Sequence, residues 1–409
     1  MATARAPAPL DRAMSRQRLT DRVLAARSAR VASDSVRTRR VVQAREGMRV
    51  KVDGQDLLNF CSNDYLGLSQ NLEVIAALQE GAAWHGVGSS ASALVSGHGS
   101  EHAALENECA EWMGYPRGLL FGSGYLANLA VMQSLLEPGD VCVQDKLNHA
   151  CLLDGARLSF CELKRYPHRD VEAAMRQLAS HKDGAAMLAT DGVFSMDGDL
   201  APLRDLALLA RAEDATFYVD DAHGIGVIGP DGRGSTAVAN LNAREVPLLV
   251  LPFGKAFGGQ GAMLLGSEAL IGHIAETARP YLFTTAPAPG MAAAMRASLR
   301  LIRGEPWRRA KVASLIARFR RGALRAGLPL AESYTPIQPL VLGDNARTLA
   351  VARRLEAQGF LVGAIRPPTV PEGQSRLRIT ITAAHSEHEI DALVSALTII
   401  CSNPQTAEA

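Results

Sequence analysis

The sequence predicts an α/β fold in which a mostly parallel sheet lies between helices and a smaller C-terminal α+β domain follows. From about residue 57, short β-rich runs alternate with helical stretches, which is the pattern of a parallel sheet covered by helices. At 409 residues the chain is too long for one small core. The pattern of predicted elements changes near Gly304-Glu305-Pro306-Trp307, and the remainder of the chain has the pattern of a smaller α+β unit. We therefore expect an N-terminal arm over residues 1–56, a large domain over 57–300 and a small domain over 301–409.

The N-terminal arm is basic, because residues 1–40 contain ten arginines and three aspartates. Its apolar residues have helical spacing and predict a helix that docks on the main body or on a partner: Leu19, Val23, Leu24, Ala26 and Val31. An Arg-rich transit peptide is the alternative. Asp11, Asp21 and Asp34 interrupt the basic pattern and argue against it.

The regular elements follow in order along the chain. Apolar periodicity predicts helices over 71–84 and 101–113. Short apolar runs predict a strand over 57–61, and then the strands of the large domain over 119–121, 141–143, 185–189, 217–220, 248–251 and 262–265. Further runs predict small-domain strands over 337–342, 361–365 and 377–382.

The composition is that of a cytoplasmic enzyme. Forty-three basic and 42 acidic side chains nearly cancel, which argues against a nucleic-acid partner. The six cysteines form no CxxC pair and we find no secretory signal, so reduced thiols in a cytoplasmic setting are expected. Since no apolar run reaches about eighteen residues, we expect no membrane span. We also expect no metal site.

One pair of residues indicates the chemistry. Asp220 ends the predicted strand 217–220, and Lys255 follows the predicted strand 248–251 in a Gly-rich turn, 35 residues later. Ligands of open α/β sheets gather at the carboxyl ends of the strands, so both groups can share one crevice. Pyridoxal 5'-phosphate needs a lysine for its Schiff base and a carboxylate that keeps its pyridine nitrogen protonated. Taken singly, the two residues are ordinarily a surface lysine and a helix-capping aspartate; together they predict this cofactor.

The segment Gly122-Ser123-Gly124-Tyr125 follows a strand and opens a helix, so its N–H groups and the helix dipole can hold a phosphate. The same segment matches the dinucleotide fingerprint, with Asp145 near the position of the ribose-binding acid. An NAD-dependent oxidoreductase is therefore the alternative from a different class. We favour pyridoxal phosphate because it also accounts for His223, Asp220 and Lys255.

Long, ordered motifs extend over most of the chain: Asn59–Leu68, Leu94–Gly97, Gly192–Asp199, Ile365–Pro371 and Thr380–His385. With these motifs the chain resembles the α-oxoamine synthases among the fold-type I pyridoxal phosphate enzymes. The resemblance implies a seven-stranded sheet and a homodimer with shared active sites. Residues 365–371 resemble the corresponding segment of the family members that act in biotin biosynthesis. This resemblance implies a decarboxylative condensation of L-alanine with pimeloyl-CoA or pimeloyl-ACP. A glycine-using synthase is the alternative within the family. A catalytically silent partner subunit is a further alternative, but such a subunit usually lacks the Schiff-base lysine, which is present here as Lys255.

The resemblance also implies roles for single residues. Lys255 would form the Schiff base and then remove the α-proton of the amino acid, and Asp220 would pair with the pyridinium nitrogen. His149 would stack on the cofactor ring, while His223 would hydrogen-bond its phenolic oxygen with Ser195 nearby. The catalytic candidates are Lys255, Asp220, His149 and His223.

The remaining roles concern phosphate and substrate. Gly124 and Tyr125 would cap the phosphate, with Thr285 reaching in from the other subunit. Arg378 resembles the arginine that binds the amino acid carboxylate. The further substrate-binding candidates of the resemblance are Asn63, Arg37, Arg366 and Thr369.

Three positions depart from the family pattern. Pro252 stands where relatives place threonine or serine, so one phosphate contact should be missing, since proline has neither hydroxyl nor N–H. Asp191 stands where close relatives often carry glutamate. Residues 86–93 are less glycine-rich than usual, which could alter the acyl channel.

Overall fold

The computed structural model describes residues 16–33 and 35–402. Its strands are β1 (Val42–Glu46), β2 (Arg49–Val52), β3 (Gln55–Asn59), β4 (Arg117–Phe121), β5 (Val141–Asp145), β6 (Glu162–Tyr166), β7 (Ala186–Asp191), β8 (Thr216–Asp220), β9 (Leu248–Pro252), β10 (Ala262–Gly266), β11 (Ile337–Gly343), β12 (Phe360–Leu361), β13 (Gly363–Ile365) and β14 (Ser375–Thr380).

The helices alternate with these strands along most of the chain. They are α1 (Leu19–Ala32), α2 (Leu72–His85), α3 (Ser100–Met113), α4 (Gly124–Leu135), α5 (Ala150–Ser159), α6 (Val171–Ala179), α7 (Leu203–Ala212), α8 (Gly234–Val238), α9 (Glu268–Thr277), α10 (Arg279–Leu282), α11 (Pro289–Gly304), α12 (Pro306–Arg325), α13 (Asn345–Ala357) and α14 (Glu387–Cys401).

A seven-stranded sheet forms the centre of the molecule, with the strand order β4-β10-β9-β8-β7-β5-β6. β10 runs antiparallel to both of its neighbours, and the other pairs are parallel. Alternate residues of β9 belong to two different core clusters, with Leu249 and Leu251 in one and Leu248 and Val250 in the other. Because successive side chains of a strand point to opposite faces, helices cover both faces of the sheet. The predicted fold class is confirmed.

The C-terminal part contains the three-stranded antiparallel sheet β11-β14-β13. β12 leaves this sheet and pairs in parallel with β3, in the four-stranded sheet β1-β2-β3-β12. The strand predicted over 57–61 therefore pairs with β2 and with β12 of the C-terminal part, and not with the large sheet. The domain limits themselves stay a proposal.

Sequence reasoning also missed some strands and joined others. β6 reads Glu-Leu-Lys-Arg-Tyr, and a charged edge strand lacks the apolar run that the prediction relied on. β1 and β2 were also missed, because β1 is exposed along its length and β2 alternates exposed and buried residues, so neither contains an apolar run. The single strand predicted over 361–365 is divided between two sheets as β12 and β13.

The predicted N-terminal helix is present as α1, but none of its residues is buried against this chain. Leu19, Val23, Leu24 and Val31 are each more than half exposed. Docking on the main body was therefore wrong, and docking on a partner stays a prediction. The part of the arm before residue 16, with Asp11, lies outside the described residues, as does Asp34. Within the described residues, none of the helices combines the length and the apolar character that a membrane span requires.

Candidate active site

Two neighbouring parallel strands, β8 and β9, bring the predicted acid and the predicted lysine together. Asp220 is the last residue of β8, and Lys255 lies in the turn that follows β9. Both side chains line one cavity of about 210 Å³ at the carboxyl ends of the strands. The cavity also contains His149, Ser195 and His223. The residues singled out for the cofactor thus meet at the edge of the sheet that the fold class favours for ligands.

A buried hydrogen-bond chain orients the carboxylate of Asp220. The amide of Asn128 donates to Asp220 Oδ2 at 2.6 Å and contacts Cys151 Sγ at 3.0 Å. The hydroxyl of Tyr218 donates in turn to Asn128 Oδ1. The other oxygen of Asp220 accepts the N–H of Ala222 at 3.0 Å. Because donors hold both oxygens, Asp220 is fixed as an acceptor that faces the cavity.

A second carboxyl group, Asp191, lies beside Asp220 in the register of β7 and β8. Burial, followed by the neighbouring charge of Asp220, raises the pKa of Asp191 well above its ordinary value. Its Oδ2 accepts the N–H of His149 at 3.1 Å, while its buried Oδ1 has no hydrogen-bond partner among the described residues. Two adjacent carboxyl groups do not ionise together easily, so the position beside Asp220 favours the protonated form of Asp191.

The basic groups of the cavity are shifted toward their neutral forms. Burial is the main cause that lowers the pKa of Lys255, which Asp220 and Asp191 oppose. Burial also lowers the pKa of His149 and, far more strongly, that of His223. The hydroxyl of Tyr65 lies 2.7 Å from His223 Nδ1. If Tyr65 is the donor, the N–H of neutral His223 is on Nε2.

The phosphate end of the cavity is the start of α4. Ser123 caps this helix and its Oγ accepts the N–H of Leu126 at 3.3 Å. Gly124 and Tyr125 are the first two residues of α4, so their N–H groups have no acceptor within the helix and are the donors that a ligand can use. A Cβ on Gly124 would come within 2.7 Å of Pro252 Cγ. Only glycine therefore fits between this phosphate-binding turn and β9.

The arginine predicted for the amino acid carboxylate is buried on β14. Arg378 Nε donates to the carbonyl of Ser195 at 2.6 Å, and its NH1 donates to Asn63 Oδ1 at 3.2 Å. The structure therefore joins three predicted residues, one of which lines the cofactor cavity. Arg376, two residues earlier on β14, forms an ion pair with Asp197 at 2.5 Å, and Asp197 lies in the same turn as Ser195.

The other substrate-binding candidates meet at a second cavity, of about 310 Å³, beside β13. Arg37 NH2 donates to Thr369 Oγ1 at 2.7 Å, and Arg366 lines the same cavity. β13 pairs directly with the strand of Arg378. The second cavity therefore lies beside the strand that neighbours the strand of Arg378.

Of the predicted phosphate contacts, Gly124 and Tyr125 line the cavity, whereas Thr285 does not. Thr285 is exposed. The hydroxyl of Tyr125 donates to Asp154 at 2.7 Å and not toward the start of α4.

Comparison with known proteins agrees with this geometry. Residues 55–397 match the family described as "Aminotransferase class I and II". The curated 8-amino-7-oxononanoate synthase of Xanthomonas axonopodis pv. citri is 58% identical over 385 residues, which cover 94% of this chain and 96% of that protein. That of Xanthomonas campestris pv. campestris strain B100 is 57% identical over 96% of this chain and 100% of the relative. The chain belongs to the class I and II aminotransferase family, in its 8-amino-7-oxononanoate synthase branch.

Solved structures show the same fold. A serine palmitoyltransferase from S. paucimobilis with a bound adduct of PLP and myriocin superposes with a TM-score of 0.89 at 25% identity, and the match covers 94% of this chain and 99% of that one. An 8-amino-7-oxononanoate synthase from Francisella tularensis matches with a TM-score of 0.74 at 29% identity, over 85% and 98% of the two chains.

The residues present fit a pyridoxal phosphate molecule. The cavity offers a lysine of lowered pKa, a fixed carboxylate and helix N–H donors around a space with room for one small ring. The unpartnered Oδ1 of Asp191 is a further polar atom at this site.

The dinucleotide interpretation of the same glycine segment does not fit. Asp145, the proposed ribose acid, is engaged by His168 Nδ1 at 3.1 Å and by the N–H of Arg169 at 2.8 Å. β4, which leads into the glycine segment, is an edge strand whose neighbour β10 is antiparallel, whereas a dinucleotide fold places parallel strands there.

Sequence reasoning missed Asn128, Tyr218, Cys151 and Tyr65. A helical signal for Asn128 exists, since it follows Gly124 by four residues and so lies on the same face of α4. Tyr218 precedes Asp220 by two residues on β8 and so points to the same face of the sheet. Cys151 and Tyr65 each lie two residues from a predicted site residue and contact it, at 2.8 Å from His149 Nδ1 and 3.3 Å from Asn63 Oδ1. Their contacts with Asn128 and His223, in contrast, join residues that are distant in the sequence.

Proposed function

We propose that this chain condenses L-alanine with a pimeloyl thioester, with pyridoxal 5'-phosphate as its cofactor. The products are 8-amino-7-oxononanoate, carbon dioxide and the free thiol of the carrier, which balance the two substrates. The observation that carries the proposal is the shared cavity of Lys255 and Asp220 in a chain 58% identical to a synthase of this name.

When bound, pyridoxal phosphate supplies an aldehyde for amines and a ring that accepts the electron pair of a broken bond at Cα. Lys255 is the base that takes the α-proton of alanine, since its lowered pKa favours the neutral amine. Asp220, held in place by Asn128, is the acceptor that would bind the ring nitrogen of the cofactor. Asp191 stays protonated, so it adds no second negative charge.

The two substrate carboxylates have separate partners in this proposal. Arg378 binds the carboxylate of alanine, because its guanidinium is buried and is fixed by Ser195 and Asn63. Arg37, Thr369 and Arg366 bind the distant carboxylate of the pimeloyl chain, since they line a second cavity beside β13. With this division, an acyl group that carries a distant carboxylate should be the preferred donor.

We propose that the working form is a homodimer with shared active sites. Large apolar side chains are exposed on the single chain, and their burial would stabilise an assembly: Leu72, Trp84, Val87, Leu94, Val95 and Phe283. Phe283 is two residues from Thr285, which would then reach the phosphate of the partner's site.

A cytoplasmic location belongs to the same proposal. All six cysteines are free thiols, and a reducing compartment keeps thiols in that form.

Product analysis tests the reaction. The purified protein, saturated with pyridoxal phosphate, is given equimolar alanine and glycine together with pimeloyl, acetyl or succinyl thioesters, and the products are identified by mass. The expected main product is the alanine–pimeloyl condensate, with release of one carbon dioxide. A glycine product, or preference for the acetyl or succinyl donor, would contradict the substrate assignment.

Two variants make the test specific. Lys255→Ala should abolish product formation, because no base remains at Cα. Lys182→Ala removes a lysine from an external loop between α6 and β7 and should leave the rate unchanged. Pimeloyl-CoA and the pimeloyl carrier protein are compared by kcat/KM, and the better donor identifies the carrier.

A further inference from the structure

An imidazole outside the cavity is held between two carboxylates. His168 follows β6, and its Nδ1 lies 3.1 and 3.2 Å from the two oxygens of Asp145, while its Nε2 lies 2.9 Å from Asp199 Oδ2. With both ring nitrogens facing acceptors, the ring donates twice only as the imidazolium cation. The two aspartates raise the pKa of His168 to about 9 against the opposing effect of burial.

Neither carboxylate lines the cofactor cavity, but each belongs to a segment that contributes a lining residue, His149 after β5 and Ser195 in the turn 192–200. Asp145 ends β5, three residues before Asn148 and four before His149. Asp199 lies in the turn 192–200, which also contains Ser195. This turn is closed by the N–H of Phe194 on the carbonyl of Asp199 at 3.0 Å.

The ring of His168 is fixed by its other neighbours as well. It packs edge-on against Phe194, with ring centroids 4.4 Å apart. Arg169 is the charged group beside His168. Its backbone N–H donates to Asp145 at 2.8 Å and its NH1 donates to Asp199 at 3.1 Å. Glu332, across the small cavity that Asp199 and Arg169 line, is the charged group on the C-terminal side. The contacts join β5, the loop after β6 and the turn 192–200.

The turn supports the buried arginines of β14. The carbonyl of Ser195 accepts from Arg378 at 2.6 Å, and Asp197 binds Arg376 at 2.5 Å. The carbonyl of Gly198 accepts the hydroxyl of Ser333 at 2.8 Å and that of Thr335 at 2.9 Å. A displacement of this turn would therefore move Arg378 relative to His149.

We propose that His168 is a positioning residue for the amino acid substrate. As a cation it holds the turn 192–200 against the end of β5, and the turn sets the position of Arg378. This inference rests on the proposed function, in which Arg378 binds the carboxylate of alanine. His168 itself touches neither substrate nor cofactor cavity.

The test separates the binding of alanine from the other steps. His168→Gln keeps a polar side chain but cannot donate from two ring nitrogens as a cation. Because misplacement of a binding group by about 1 Å can cost roughly a hundredfold, we expect the KM of alanine to rise roughly tenfold to a hundredfold. The KM of the pimeloyl thioester and the affinity for pyridoxal phosphate should stay unchanged. An unchanged KM of alanine would overturn the proposal.

The chain provides a matched control. His181 also bridges a carboxylate and a backbone oxygen, at 3.1 Å from Glu162 and 2.9 Å from the carbonyl of Gly139, but it lies at the amino ends of β5 and β6. His181→Gln should leave both KM values at the wild-type level. An equal rise of KM in both variants would show a general loss of structure and would overturn the specific role.

A second variant and a pH profile complete the test. Asp199→Asn leaves the contact of His168 with Asp145 in place and should give a smaller rise of the KM of alanine in the same direction. As the pH passes about 9, the KM of alanine should rise more steeply in the wild type than in His168→Gln, since only the wild type then also loses the charge of His168. If the wild type does not condense alanine at all, the proposed function fails; if it does and His168→Gln matches it, this inference alone fails.

Discussion

At the scale of single residues, the site depends on how donors hold Asp220. Asn128 links the hydroxyl of Tyr218 to Asp220 through one buried amide. A hydrogen bond to a charged group contributes about 1.5 to 3 kcal/mol. The orientation of the carboxylate is therefore a property of Asn128 as much as of Asp220.

The substitution Asn128→Ala tests this dependence. It removes the donor to Asp220 Oδ2 and the acceptor of Tyr218, so kcat/KM should fall roughly tenfold to a hundredfold. Steady-state kinetics at saturating cofactor measures the loss. Asn242→Ala, the same change at an exposed loop position, is the control. Wild-type kinetics in Asn128→Ala would show that Asp220 needs no such support.

A buried histidine makes stability depend on pH. His385 stacks on Phe60 with ring centroids 4.3 Å apart and accepts the N–H of Thr382 at 3.0 Å. Burial is the main cause that lowers the pKa of His385 to about 4. Because the folded value lies below the unfolded value of about 6.5, the stabilisation is complete above pH 6.5 and is lost as the pH falls toward 4.

The expected size of this loss is about 3 kcal/mol in the free energy of unfolding, since one pKa unit corresponds to about 1.4 kcal/mol. Urea unfolding at pH 7.5 and pH 4.5 measures it. His385→Gln should be less stable at pH 7.5 but should lose less stability between the two pH values than the wild type. His388→Gln, at an exposed position in α14, should show the wild-type difference. Equal pH dependence in all three proteins would contradict the prediction.

At the scale of elements, the junction between β9 and α4 forms the phosphate site. Pro252 ends β9 and occupies the space that a Cβ on Gly124 would need. The proline thus determines how closely α4 approaches β9, although it offers a phosphate neither a hydroxyl nor an N–H.

Replacement of this residue tests the missing contact. Pro252→Thr adds a hydroxyl and should tighten the binding of pyridoxal phosphate roughly fivefold, since one net hydrogen bond contributes about 1 kcal/mol. Titration of the apoprotein, followed by the visible absorbance of the bound cofactor, gives the dissociation constant. Pro252→Val gives a side chain of nearly the same shape as threonine but without the hydroxyl, so it should show no gain in affinity for pyridoxal phosphate. The same tightening in both variants would assign the effect to the backbone.

At the scale of the whole molecule, one chain leaves the site open at its phosphate end. Thr285 is exposed, and the apolar surface beside it is exposed as well. The proposed homodimer covers this surface and supplies Thr285 to the partner's cavity. Each active site would then need residues from two chains.

Complementation between two inactive variants tests the shared site. Lys255→Ala lacks the base, and Thr285→Glu should repel the phosphate. In a mixed dimer, one site would combine an intact Lys255 with an intact Thr285, so co-expression should restore roughly a quarter of the wild-type activity. Lys255→Ala co-expressed with Asp220→Ala is the control, since those two residues lie in the same cavity and should restore nothing. No recovery in the first mixture would place Thr285 outside the partner's site.

The sequence by itself determined the fold class and the central pair of the site. Apolar runs at regular intervals define strands wherever both faces of a strand are buried, as in β5, β8 and β9. Asp220 and Lys255 were predictable because Asp220 ends such a strand and Lys255 lies in the turn that follows one. Local chemistry was sufficient for Gly124 as well, since a helix start after a strand is a local feature.

Tertiary structure alone decided the partners of these residues and the place of the charged strands. Asn128 and Asp220 are 92 positions apart, and His168 and Asp199 are 31 apart. The order in which strands pair brings such residues together, and that order is not a local property of the chain. For the same reason, periodicity did not show the pairing of β3 with β12. The edge strand β6 was missed because its charged sequence contains no apolar run. Buried apolar periodicity marks a strand, whereas a side-chain contact depends on which strand becomes its neighbour.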